Sequence, residues 1–179
     1  DHATGWWNSI TAADVDNDGD VDYIAGNLGT NSFYRADTLH PVSIYAKDFD
    51  NNGKTDAIPF LFLPGTNGRL EEYPAHNRDD IMEQLPGLKK RFLTYREFAG
   101  ARLQDIFTGK ELKGALILKS NTFQSCLIEN MGNNRFTLRF LPPLAQLAPV
   151  YGIVAEDFND DGNIDIALTG NDFGTDVGS

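Results

Sequence analysis

The chain of 179 residues has one cysteine, Cys126, so no disulfide can staple it within itself and no paired-cysteine metal motif is present. Basic residues are few: 15 Lys and Arg stand against 26 Asp and Glu, a formal charge of −11. No basic stripe offsets phosphate repulsion, which argues against nucleic acid as a partner. No apolar run approaches the length of a membrane span. The three histidines, His2, His40 and His76, lie far apart without metal-ligand spacing and read as surface or capping residues. Nucleophile-elbow, phosphate-loop and HExxH motifs are all missing. What remains is a 41% hydrophobic, 11% aromatic chain, enough to bury a core and unlike a disordered one.

The acidity is concentrated in three nine-residue stretches. Asp14, Asp16, Asp18, Asp20 and Asp22 alternate through the first, around Gly19. Asp48, Asp50, Asn52, Lys54 and Asp56 occupy the same five places in the second, around Gly53. Asp157, Asn159, Asp161, Asn163 and Asp165 do so in the third, around Gly162. Their net charges of −5, −2 and −4 account for the whole formal charge, leaving the rest of the chain neutral. Like charges so close repel unless a cation sits among them. Hard oxygens at alternate residues, bent around a glycine at position 6, suit Ca²⁺. Side chains at positions 1, 3, 5 and 9 would be ligands, with the backbone carbonyl at position 7, where Asp20, Lys54 and Asn163 stand. Three calcium sites are expected, the first tightest by charge. The second is expected to be weakest, because Asn52 replaces a carboxylate and Lys54 adds a positive charge. An EF-hand is excluded, since position 12 is Ala25, Pro59 or Leu168 instead of Glu.

Ile and Ala alternate into each loop, as Ile10 and Ala12, Ile44 and Ala46, Ile153 and Ala155, and short apolar runs follow each loop. This predicts strand, loop, strand. A second repeat, N-x-G-x-N-x-F, runs Asn27–Phe33 and Asn130–Phe136, and Asn171 to Gly174 reads as the start of a third copy. It predicts a tight hairpin turn with a strand from Phe33 or Phe136. Each unit then has about four strands, as in a propeller blade.

On these loops and turns the chain resembles the FG-GAP/VCBS-type calcium-loop β-propeller, the fold of the integrin α-subunit head. The middle, around 73–80 and 91–95, is similar to insertions in bacterial VCBS proteins related to the cartilage acidic protein group. The resemblance implies adhesion or binding.

The expected architecture is mainly β, a single partial propeller domain over 1–179 with blade segments at 1–63 and 114–179. A largely helical insertion of about 64–113 lies inside the second blade, because Asp22 to Asn27 spans 5 residues where Asp56 to Asn130 spans 74. Strands are expected near 5–14, 22–26, 32–35, 41–47, 116–118, 123–129, 136–140 and 151–156. Helix starts are expected at Asn77 and at the capping boxes beginning with Thr94 and Thr108. The opening Asp1–Trp7 reads as an excised, mid-strand start. Three partial blades do not close a ring, so truncation from a longer protein is expected, with self-association through open blade edges as the alternative.

The function expected is a non-enzymatic calcium-binding module of an extracellular, periplasmic or cell-surface protein, presenting loops and the insertion to a protein or glycan. Trp6–Trp7 is a candidate sugar platform, or a pair with one ring in the core. The Lys89-Lys90-Arg91 stretch with Arg96 and Arg102 is a candidate docking face, or a solvated helical face. The rival is a polysaccharide-processing enzyme or its accessory domain, with Glu71, Glu72 and Glu83 as nominal acids. A third reading is a structural spacer without a ligand.

Overall fold

The structure, a computed structural model, describes residues 3–171. It is mainly β, with ten strands in three antiparallel sheets among the described residues. In chain order the strands are β1 (Ser9–Ala13), β2 (Asp22–Gly26), β3 (Val42–Lys47), β4 (Asp56–Pro64), β5 (Leu70–Pro74), β6 (Leu116–Ser120), β7 (Cys126–Asn130), β8 (Phe136–Phe140), β9 (Gly152–Glu156) and β10 (Asp165–Thr169). Four short helices lie between β5 and β6: α1 (Arg78–Gln84), α2 (Tyr95–Ala99), α3 (Leu103–Ile106) and α4 (Gly109–Leu112). The chain divides into two compact units, one of Asp1–Tyr34 with Thr122–Ser179 and the other of Arg35–Asn121.

In the first unit β1-β2-β7-β8 form one sheet and β9-β10 a separate hairpin. Ile24 pairs with Leu127 and Ala25 with Cys126, so the second edge of β2 is filled by a strand about a hundred residues further on. This corrects two expectations. The strands at 126–130 and 136–140 complete the sheet of the first acidic loop, not the second. No strand forms at 32–35, because β2 has no free edge for it. Tyr34 instead packs edge-on to Trp6 at 4.7 Å, and Phe123 lies 5.1 Å from the same indole. Trp6 is thus half-buried in an aromatic cluster and Trp7 is 39% exposed, and neither belongs to a strand.

The two copies of N-x-G-x-N-x-F also diverge. At Asn130 the expected tight hairpin forms: Met131 N–H donates to Arg135 O, and Gly132, Asn133 and Asn134 all have positive φ. At Asn27 no hairpin forms. Asn27 is fully buried; its Oδ1 accepts from the Trp6 and Leu28 amides, and its Nδ2 donates to Thr122 O. The possible third copy lies outside the described residues beyond Asn171.

The second unit is a four-stranded sheet in the order β5-β4-β3-β6 with a helical layer. Period-2 alternation turns Tyr45, Ile58 and Phe60 to one face. They pack there with Ile81, Met82, Leu85, Leu88, Phe92, Phe98, Ile106 and Phe107 in one buried cluster. The helices start where the sequence places them. Asn77 Oδ1 accepts from the Asp79 and Asp80 amides, and Thr94–Glu97 and Thr108–Glu111 are reciprocal capping boxes. Gly100 divides the second helical stretch into α2 and α3. The inserted body is therefore larger than 64–113. It includes the second loop's own hairpin β3-β4 and the strand β5, which lies inside the stretch expected to be helical.

Candidate metal centre

Each acidic stretch is the connection of one antiparallel hairpin, β1-β2, β3-β4 or β9-β10. The three share one hydrogen-bond pattern. The position-1 carboxylate accepts from the amides of positions 5 and 6: Asp14 from Asp18 and Gly19 at 3.1 and 3.0 Å, Asp48 from Asn52 and Gly53 at 2.9 and 2.9 Å, Asp157 from Asp161 and Gly162 at 3.1 and 2.7 Å. The position-3 oxygen of Asp16, Asp50 or Asn159 also accepts from the position-5 amide. Position 5 then accepts from position 7, so Asp18, Asn52 and Asp161 bind the amides of Asp20, Lys54 and Asn163 at 2.8 Å each. The position-9 carboxylate closes the loop on the position-2 amide, Asp22 on Val15, Asp56 on Phe49 and Asp165 on Phe158.

This curl needs left-handed backbone at two places. Position 4 has φ near +60° at Asn17, Asn51 and Asp160, residues that tolerate it, and position 6 is glycine with φ of 92°, 86° and 85°. The side-chain oxygens are thereby gathered on the inside of the turn. Asp14, Asp16 and Asp18 offer oxygens all within 4.8 Å of one another, and so do Asp48, Asp50 and Asp56. No third such triad occurs among the described residues; the third loop has Asn159 at position 3. The Lys54 ammonium has no lone pair for a cation, so position 7 of the second loop has only its carbonyl to offer.

Burial differs between the loops. Asp22 and Asp56 are 1% and 3% exposed, whereas Asp165 is half-buried. Burial pushes the Asp56 carboxyl above its ordinary range, partly countered by the Phe49 amide, with Asp50 and Asp48 adding like charge. The Gly162 amide holds Asp157 below its ordinary range, and the Asn163 amide does the same for Asp161. The donor set of hard, mostly anionic oxygens fits a calcium-type cation and gives a soft metal no thiolate or imidazole.

Two contributors escaped the sequence reading. Asn130 N–H donates to Asp22 Oδ1 at 2.7 Å, tying the β7-β8 turn to the first loop. Asn17 Nδ2 donates to Gly162 O at 3.0 Å, joining the first and third loops. Position 4 is no ligand, so the loop pattern gave no reason to single out Asn17.

The nominal acids have other uses. Glu71 Oε1 accepts from Arg102 Nη1 at 3.0 Å, and Glu72 accepts from the Tyr45 hydroxyl, contacts that fasten β5 to its surroundings. Arg91 donates to the Ile106 and Asp105 carbonyls but is exposed, as are Lys89, Lys90 and Arg96, while Arg102 is half-buried. His40 Nδ1 lies 3.2 Å from Asp37, and His2 is outside the described residues. No helix among the described residues is long and apolar enough to cross a membrane. Comparison with protein-family models, with curated proteins and with solved structures finds no match.

Proposed function

We propose that the protein is a calcium-binding β module of the propeller type, part of an exported or cell-surface protein, and that it binds a protein or glycan rather than catalysing a reaction. The observation that carries this reading is the repetition of one loop conformation at three hairpins, with the position-1 carboxylate bonded to the position-6 amide each time, and with acid triads converging in the first two. Bound calcium supplies a divalent charge and six to eight oxygen bonds, which pin a hairpin. Weak loops of this kind need up to about millimolar calcium, the regime of extracellular modules.

On this reading the sheet β1-β2-β7-β8 is a blade, and the β9-β10 hairpin belongs to another. The exposed Trp7 ring is a surface for a sugar face, and β6 is an edge for self-association, since Leu116, Ile117 and Leu118 are all exposed there.

The test is titration of chelator-stripped protein with calcium and then magnesium by calorimetry, with melting temperature followed alongside. Up to three calcium sites, a large rise in melting temperature and little response to magnesium are expected. Absence of both heat and stabilisation would sink the reading. Binding to a glycan array without turnover, weakened by Trp7→Ala, separates the binding module from the polysaccharide-processing enzyme, which would release products.

A further inference from the structure

We propose that the first and third loops form one coupled calcium-responsive pair, in which Asn17 is the positioning residue, while the second loop binds independently of them. This deepens the calcium reading and rests on it. Both loops of the pair belong to the same compact unit, and the second loop belongs to the other.

The link is specific. Asn17 sits at position 4 of the first loop with φ of 60°, so its side chain is not a ligand and is free to reach outward. Its Nδ2 donates to Gly162 O at 3.0 Å, across 145 residues. That oxygen belongs to the peptide joining Gly162 to Asn163. The other end of the same peptide, Asn163 N–H, donates to Asp161 Oδ1 at 2.8 Å. The plane leading into Asn163, the residue whose carbonyl is the expected position-7 ligand, is therefore held from one side by a third-loop ligand and from the other by the first loop. The hairpins are also fastened below the loops, where Thr11 Oγ1 donates to Ile153 O at 3.2 Å and Ser9 Oγ to Val150 O at 2.8 Å.

An ion in the first loop relieves the repulsion of five aspartates and fixes Asn17. A fixed Asn17 keeps the Gly162–Asn163 peptide in its liganding orientation, so the third site pays less ordering entropy when it fills. By linkage the third site returns the same factor to the first. The opposing effect is repulsion between two bound cations, which salt screens over about 8 Å at physiological ionic strength. A net hydrogen bond is worth roughly a factor of two to ten in an equilibrium constant, so the coupling is positive at physiological salt and shrinks at low salt.

The experiment is a calcium titration of the full chain followed by NMR at the amides of Gly19, Gly53 and Gly162. Each of these amides donates to the position-1 carboxylate of its own loop. Asn17→Gly keeps the left-handed backbone accessible and removes the amide donor. It is expected to raise the half-saturating calcium at Gly162 about threefold and leave Gly53 unchanged. Emptying the first loop with Asp14→Asn should shift Gly162 in the same direction, and Asp157→Asn should shift Gly19 by a matching factor. The unchanged Gly53 response controls for the free calcium level, and unchanged Ala25 and Cys126 amide signals from the β2-β7 pairing control for folding of the first unit. A Gly162 response that ignores Asn17→Gly, or that tightens when the first loop is emptied, overturns the coupling while leaving the calcium reading intact. Silence at all three glycines removes the calcium reading and the coupling with it.

Discussion

Asp22 accepts two backbone amides with its two carboxylate oxygens, Val15 in its own loop at 3.0 Å and Asn130 in the β7-β8 turn at 2.7 Å. It is 1% exposed, while Val15 and Asn130, whose amides it accepts, are half-buried. A residue chosen by sequence as a metal ligand is thus also the tie between the first acidic loop and a turn 108 residues away.

Asp22→Ala leaves both amides without an acceptor. Each buried unsatisfied group costs about 1–3 kcal/mol, so the variant should lose roughly 2–5 kcal/mol even in chelator. Denaturant unfolding in EDTA measures it. A loss under about 0.5 kcal/mol, within the range of an ordinary surface substitution, would show that water takes over these amides.

The order of calcium affinity follows from the ligands. The first loop should bind most tightly and the second most weakly, because Asn52 is neutral and the Lys54 ammonium stands nearby. Lys54→Gln should tighten the second site by a modest factor, about two- to threefold for removal of one exposed like charge. Calorimetry of the variant against the parent decides, and equal affinities at all three sites would contradict the ordering.

Cys126 is fully buried, and burial pushes its thiol up to about 11. A raised thiol favours the protonated folded form. Its stability contribution is complete below the unfolded value near 8.5 and is lost as pH rises towards 11. The native protein should resist thiol reagents at pH 8 and react stoichiometrically once unfolded. Cys126→Ala should flatten the alkaline fall in melting temperature; an unchanged pH profile would mean that other groups cause it.

The helical layer of the second unit holds its sheet through buried apolar contact. Ile81 is fully buried in the cluster with Phe60 and Phe98, while Leu93 is 73% exposed. Ile81→Ala should cost about 2–5 kcal/mol and Leu93→Ala less than about 0.5 kcal/mol. Thermal melts followed by the helical circular dichroism band compare them. Similar melting temperatures for the two variants would show that the cluster contributes little.

What the sequence determined by itself is local. Each loop closes within nine residues through bonds reaching two to seven positions along the chain, so Asp14, Gly19 and Asp22 and their counterparts are recognisable from spacing alone. The same holds for Asn77, Thr94 and Thr108, whose capping bonds reach two or three residues. Tertiary structure decided which strands lie side by side. A strand's alternation fixes its face but not its neighbour, and β2 had two candidate partners, the stretch at 32–35 and β7. The sheet took β7, which left Tyr34 to the aromatic cluster with Trp6 and Phe123 and gave the second loop a separate sheet with β5 and β6. The two copies of N-x-G-x-N-x-F parted for the same reason. The strands flanking Asn130 pair with each other, so it forms a hairpin turn. Asn27 leaves a strand whose edges are both filled; its side-chain amide accepts from the Trp6 N–H and donates to Thr122 O, and its backbone N–H donates to the Ser125 hydroxyl. The bond from Asn17 to Gly162 belongs with these: it exists because two hairpins pack together, a relation carried by no spacing within either loop.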